Sequence, residues 1–237
     1  MRMRRKKHGA ERLEACCEYL YRHEGEPVTD PAAQIFGRPG ARVLLEIGAG
    51  KGGFAVGMVK QDPDAVYIAM ERVADCVVLG AERAKRENVG PSLRFITDTA
   101  DELTRILAPG TVDAIYLNFS DPWSKKGYAK RRLTHRRYLS VYAYLLKEGG
   151  KLRFKTDNVG LFDFTLEELE AFGIAPDIVT RDLHASEWAE GNVVTEYEAA
   201  FTAEGVKINM LELTRPKGEM PEVSPELARD RKEYHRR

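Results

Sequence analysis

The chain has 237 residues, 43% hydrophobic and 31% charged, which fills one generous core with appendages and excludes a disordered polymer. No apolar run approaches the roughly 18 residues of a membrane helix, and the basic start MRMRRKKH leads into no signal-peptide stretch. The three cysteines, Cys16, Cys17 and Cys76, have neither metal nor CxxC spacing, so the reading is a cytoplasmic protein with no membrane segment and no metal. Net charge is zero, 37 minus 37, but strongly segregated: residues 123–137 carry seven Lys or Arg and no acid, whereas residues 161–204 carry eleven acids against Arg181 alone.

In chain order, residues 1–40 read as a basic arm with a helix over 10–23 and a linker punctuated by Pro and Gly. From residue 42 onward, β-rich apolar runs alternate with amphipathic stretches, the signature of a parallel sheet wrapped by helices. RVLLEI (42–47) predicts the first strand and 53–60 a helix behind a glycine turn; VYIAM (66–70) is the second strand, followed by a helix over 73–86. SLRFIT (92–97) and VDAIYLN (112–118) predict strands three and four, 136–146 a helix, and KLRFK (151–155) strand five after the turn-forming Gly149-Gly150. Residues 177–182 and 207–213 close the sheet, with a helix over 195–203 between them. The segment 215–237 reads as a charged tail in which SPEL (224–227) starts a short helix with a Ser cap and Pro at its first position.

Three constellations carry chemistry. The first is EIGAGKGG (46–53), between a strand and a helix, where glycines allow positive φ and close approach of a ligand while the helix start offers free N–H groups. Gly48, Gly50 and Gly53 also satisfy the GxGxxG of nicotinamide enzymes, with Glu71 about 20 residues on, so two cofactors compete. The second is a set of acids at strand ends, Glu46, Glu71, Asp98 and Asp121, which converge on the ligand crevice of an open α/β sheet. They repel a pyrophosphate and favour a sulfonium cation, which moves S-adenosylmethionine ahead of a dinucleotide. The third is NFSDPW (118–123) followed by Lys125, Lys126, Lys130, Arg131 and Arg132: a carboxylate and a stacking face beside a phosphate-binding track, as base chemistry on a nucleic acid requires. His135 and His184 lack a partner at recognisable spacing and receive no role, and Cys16-Cys17 are expected to pack one face of the first helix.

Together, EIGAGKG (46–52), YLNFSDPWSKKGYAKRRL (116–133), FKTDN (154–158) and TEYE (195–198) resemble the bacterial tRNA (guanine-N7-)-methyltransferase family over residues 41–214. The resemblance implies a Rossmann-like class I S-adenosylmethionine-dependent methyltransferase fold, a seven-stranded mostly parallel sheet with helices on both faces. It implies tRNA as partner, a monomer or homodimer, and methylation of guanine N7 in the variable loop. Cofactor contacts fall on Glu46, Gly48, Gly50, Glu71, Asp98 and Asp121, with Asp98 near the adenine and Asp121 at the methyl-transfer centre. Lys125, Asp157, Thr195, Glu196, Tyr197 and Glu198 correspond to contacts with tRNA or the target guanine, and Gly127, Tyr128, Ala129, Lys130, Arg131 and Arg132 to the RNA-binding stretch. The chain departs from the family pattern at Ser120, where many members have proline, and at Gly127-Tyr128, where many have Arg-His. A nicotinamide-dependent oxidoreductase, or a non-catalytic RNA-binding subunit on the same fold, are the alternatives.

Guanine N7 bears a lone pair and no proton, so no base is needed and positioning dominates, with Asp121 orienting and stabilising the charge that moves. Trp123 and Tyr197 are the candidate faces for stacking the target base.

Overall fold

The computed structural model describes residues 7–218. Its strands are β1 (Val43–Ile47), β2 (Val66–Met70), β3 (Leu93–Ile96), β4 (Val112–Asn118), β5 (Leu146–Thr156), β6 (Ile178–Thr180) and β7 (Asn209–Thr214), hydrogen-bonded in the order β3-β2-β1-β4-β5-β7-β6. The first five in that order run parallel, whereas β7 is antiparallel to both β5 and β6. The helices are α1 (Gly9–Glu14), α2 (Pro31–Gln34), α3 (Gly53–Gln61), α4 (Ala74–Arg86), α5 (Leu103–Ile106), α6 (Arg136–Leu145), α7 (Val159–Phe172) and α8 (Glu196–Ala203). Strand order reverses between β1 and β4, the topological switch point outside which open α/β sheets bind ligands.

Side chains on successive strand residues point to opposite faces, and β1 shows the result. Val43, Leu45 and Ile47 join Leu103, Leu139 and Phe162 from α5, α6 and α7 on one face. Leu44 joins Tyr67, Phe54 and Val77 on the other, against α3 and α4. All five residues of β1 and of β2 are buried, as strands covered on both faces must be. The same alternation puts Glu46, one residue before the β1 end, on the α3 side, where it is buried at 2% exposure.

The sequence reading locates every strand within a few residues, and the departures have local causes. The fifth strand begins at Leu146, because Gly149 takes φ +74° and forms a bulge within the strand instead of a turn before it. Helix α7 is an element the periodicity reading passed over, although Asn158 caps it by accepting from Leu161 N (2.8 Å) and Gly173 ends it at φ +78°.

The expected helix over 10–23 stops at Glu14, because Leu20 and Tyr21 leave helical geometry to pair with the edge of β3, Tyr21 N donating to Phe95 O at 2.9 Å. Farther on, Val28 bridges to Leu107, and Arg12 holds Glu82 through two bonds of 2.6 and 2.7 Å. Residues 7–40 therefore wrap the sheet edge, which covers strand groups that would otherwise pair with another chain. Of the adjacent cysteines Cys16 is buried and Cys17 exposed, so only one packs inward. The expected helix at 224–227 and the basic residues 1–6 lie outside the described residues, as does the side chain of Lys126. Among the described residues no helix is long and apolar enough to cross a membrane.

Candidate functional site

The glycine turn leaves β1 and is tied to the neighbouring strand by main-chain bonds: Gly48 N and Ala49 N both donate to Met70 O, at 2.9 and 3.0 Å. Gly48 has φ +81° and Gly50 φ +55°, a backbone only glycine adopts without strain, and a Cβ built on either meets nothing within 4 Å. Conformation, not crowding, therefore demands glycine at these two positions, and the space above them is open. At the end of β2, Glu71 receives Gly50 N at 2.9 Å on one carboxylate oxygen and Val73 N at 2.8 Å on the other. Each oxygen keeps a second lone pair, so Glu71 fixes the turn and retains acceptor capacity.

A cleft of about 640 Å³ opens here, and Gly48, Glu71, Asp98, Ser120, Asp121 and Trp123 are among its walls. Three of the four expected acids thus share one cavity. The fourth, Glu46, does not line it. Its carboxylate lies buried, with Oε1 accepting from Asn118 Nδ2 at 2.9 Å and Oε2 without a partner. Burial pushes its pKa up to about 7, against the opposing pull of Asn118 and Lys155 and with a small further push from Glu71. The expectation of a carboxylate exposed to the crevice is corrected for Glu46.

A second buried ionic node stands behind the same wall. Lys155, in β5, and Glu198, in α8, are 1% and 0% exposed in their side chains and lie 2.7 Å apart. Lys155 Nζ also donates to Asn192 Oδ1 and Val193 O, and burial lowers the Lys155 pKa while the Glu198 carboxylate resists that shift. Glu198 additionally accepts from Asn192 Nδ2, closes a capping box with Thr195, and has His184 Nε2 3.0 Å from Oε1. Its carboxylate is therefore committed to holding the start of α8 and does not face the cleft. Glu196 and Tyr197 remain on the outside of that helix start: Glu196 pairs with Arg83, and Tyr197, about half exposed, lies 5.1 Å from the ring of Phe119. Phe119 itself lines the cleft, which makes it the link between the cavity and the α8 rim. Asp157 stands on that rim, close enough to Tyr197 to raise the phenol pKa after burial.

The loop after β4 is conformationally unusual. Phe119 (φ +52°) and Trp123 (φ +40°) are non-glycine residues in left-handed geometry on either side of Asp121, the kind of outlier that costs about 1–3 kcal/mol and survives only when surroundings impose it. The surroundings come from the basic segment. Arg132 Nε donates to Pro122 O at 3.0 Å and Arg132 Nη2 to Trp123 O at 3.1 Å, and its guanidinium covers the Phe164 ring at 4.2 Å. Arg131 lies 5.1 Å from the Trp123 ring centre and 4.8 Å from that of Tyr128. Asp121 is mostly exposed and lies 3.3 Å from Arg72.

The seven-cation run is accordingly not one solvated track. Arg132 braces the loop, Arg136 is held by Glu168 at 2.9 Å, and Arg137 by Asp101 at 3.0 Å. Gly127 to Arg131 belong to a 3₁₀ stretch, Lys126–Arg131, on which Tyr128 and Lys130 are presented at the surface or partly so. Lys125 is exposed just before it. Phe119, Arg72 and Lys155 are site residues that sequence reasoning missed; Lys155 sits in the FKTDN string, but nothing in the string announces that its charge is buried.

The cavity fits an elongated ligand with a nucleoside at one end and a cationic centre. It has open space above two glycines, carboxylates at the ends of β2, β3 and β4, and a buried Ser120 Oγ without a partner in its wall. A family model described as a putative methyltransferase matches residues 40–211. Solved structures with the same fold include the 16S rRNA methyltransferase KamB, 14% identical with a TM-score of 0.57 over 74% of this chain and 88% of that one. An antibiotic-related methyltransferase is 20% identical, with a TM-score of 0.56 over 81% and 96% of the two chains. Geranyl diphosphate C-methyltransferase from Streptomyces coelicolor A3(2), solved with S-adenosyl-L-homocysteine, is 16% identical with a TM-score of 0.51 over 87% and 76%.

Proposed function

The chain belongs to the tRNA (guanine-N7-)-methyltransferase family, is an S-adenosylmethionine-dependent methyltransferase by fold and family, and, we propose, methylates N7 of a guanosine in the variable loop of tRNA. The observation that carries this reading is the braced loop after β4, which sets Asp121 in the cleft wall beside an aromatic pair and a cationic segment. When bound, S-adenosylmethionine supplies an electrophilic methyl group on a sulfonium.

Glu71 and Asp98 hold the nucleoside end, with Gly48 and Gly50 giving it close passage over the main chain. Glu46 acts from beneath, keeping Asn118 and so the root of the β4 loop in place. Guanine N7 attacks with its own lone pair, so Asp121 has no proton to remove and serves to orient and to stabilise positive charge as it passes to the purine. Asp157, Thr195, Glu196 and Tyr197 form the rim that receives the guanine, Glu198 keeps that rim in position, and Lys125 with the stretch Gly127, Tyr128, Ala129, Lys130 and Arg131 meets the RNA backbone. The same reading makes the protein cytoplasmic.

The test is incubation of the purified protein with methyl-labelled S-adenosylmethionine and an unmodified tRNA transcript, followed by mapping of base-labile 7-methylguanosine. Label at one variable-loop guanosine is the expected result. Binding of both S-adenosylmethionine and tRNA with no label in the RNA overturns the substrate and favours a non-catalytic RNA-binding role.

A further inference from the structure

The aromatic corner beside Asp121 already holds a planar cation. Trp123 and Tyr128 meet edge to face, with ring centres 6.0 Å apart and planes at 79°, and the Arg131 guanidinium lies 5.1 Å from one ring centre and 4.8 Å from the other. Trp123 and Arg131 both line the cleft that contains Asp121. Trp123 is kept in its left-handed backbone by the two Arg132 bonds to Pro122 O and Trp123 O, so the corner is built in advance of any ligand.

Aromatic faces attract cations through the ring quadrupole, and a guanidinium, flat, delocalised and weakly hydrated, is the side chain closest in character to a charged heteroaromatic ring. Guanine is neutral before methyl transfer. As the N7–CH₃ bond forms and the C–S bond breaks, its electron pair staying on sulfur, the purine becomes a flat cation. We propose that the Trp123–Tyr128 corner is the binding site for this cationic 7-methylated purine, and that Arg131 fills the corner until the purine displaces it. The site rests on the proposed guanine N7 reaction and is separate from the rim at Asp157 and α8 that meets the neutral base. Because its attraction depends on the charge of the base, it favours the methylated product over the neutral guanine. It also retains the product, so release from the corner slows turnover at low salt.

The test compares 7-methylguanosine with guanosine as free nucleosides, by calorimetry or equilibrium dialysis, at mildly acidic pH where the methylated base keeps its full positive charge. Wild-type protein is expected to prefer 7-methylguanosine by about fivefold or more. Trp123→Leu is expected to abolish the preference. Tyr128→Leu, at a residue 42% exposed, is expected to reduce it about twofold. Arg131→Ala is expected to bind 7-methylguanosine several-fold more tightly because the occupant is gone, whereas an arginine that meets the RNA backbone without ever filling the corner predicts no change for a nucleoside. Equal binding of the two nucleosides by wild type, or a preference that survives Trp123→Leu and Tyr128→Leu together, overturns the corner. If tRNA is methylated at guanine N7 while wild type shows no preference, the corner fails and the reaction stands. If the preference is present but tRNA is not methylated, the corner stands and the reaction assignment fails.

Discussion

The two walls of the cleft are built in different ways. On the β1–β2 side every anchor is main chain or reaches main chain: Met70 O takes two amides of the turn, and Glu71 takes Gly50 N and Val73 N. On the β4–β5 side the anchors are side-chain charges, a buried Lys155–Glu198 pair under α8 and Arg132 braced against two carbonyls of the β4 loop. Main-chain anchoring follows from strand register and glycine geometry, so it tolerates replacement of most side chains around it. Charge anchoring depends on a few individual groups, and its failure is local and abrupt. The difference teaches where substitutions separate cofactor binding from the rest of the reaction.

The largest expected effect breaks the second wall outright. Lys155→Met leaves the Glu198 carboxylate buried without its cation, and removal of one partner from such a pair costs about 3–5 kcal/mol, visible in urea or thermal unfolding. Lys155→Met/Glu198→Gln removes the stranded charge and is expected to recover a large part of that loss. If the double variant is no more stable than the single one, the pair is not the anchor. The matching perturbation beneath the first wall is pH. Glu46 has its folded pKa raised from an ordinary 4.5 to about 7, so the folded state holds the proton more tightly than the unfolded state does. The contribution of Glu46 to stability is therefore full below pH 4.5 and is lost as pH rises through 7, by roughly 3 kcal/mol in all. Glu46→Gln is expected to flatten that decline, measured as unfolding free energy against pH; an unchanged slope refutes an uncharged Glu46 in the folded protein.

Next in size is Asp121→Asn. The side chain is mostly exposed, so the fold should change little, while kcat falls by about 100-fold because charge stabilisation is lost where the positive charge moves. A kcat near that of wild type would leave Asp121 with no part in the chemistry. The outcome sharpens the contrast between walls, since Glu71, with both oxygens on main-chain amides, is expected to affect cofactor affinity first.

The first wall was legible in the sequence for the same reason that it is robust. A buried strand, a glycine turn and an acid at the next strand end form a pattern of residue types at fixed spacing, and register does the rest, so Gly48, Gly50, Glu71 and Asp98 fall where the pattern puts them. The motif puts Glu46 at the right strand end but does not tell which face the strand turns inward, and alternation along β1 buries it beneath the floor. The second wall was legible as a string, NFSDPW followed by cations, but not as a structure. The cations from Lys125 to Arg132 read as a phosphate-binding track, yet Arg132 turns back to two carbonyls of the β4 loop, and Arg136 and Arg137, later in the same basic run, go to carboxylates of distant segments. Glu198 likewise reads as a substrate contact because it closes TEYE, whereas its partner Lys155 lies 43 residues away in β5, a contact that only the tertiary fold makes.

Arg132 offers the finest cut between the two roles of that basic segment. A phosphate responds to charge, so Arg132→Lys would preserve most of an RNA contact; two carbonyls 3.0 and 3.1 Å from different guanidinium nitrogens need the planar fork, which lysine lacks. If Arg132 braces the loop, Arg132→Lys lowers kcat by about tenfold through misplacement of Asp121, while tRNA affinity and its dependence on salt stay as in wild type. Lys130→Met is expected to do the converse, reducing the slope of log affinity against log salt by about 0.9 with kcat nearly intact. Parallel kinetics and salt titrations of the two variants separate bracing from binding, and an Arg132→Lys protein that keeps the wild-type kcat as well as the wild-type salt slope would return Arg132 to the RNA surface.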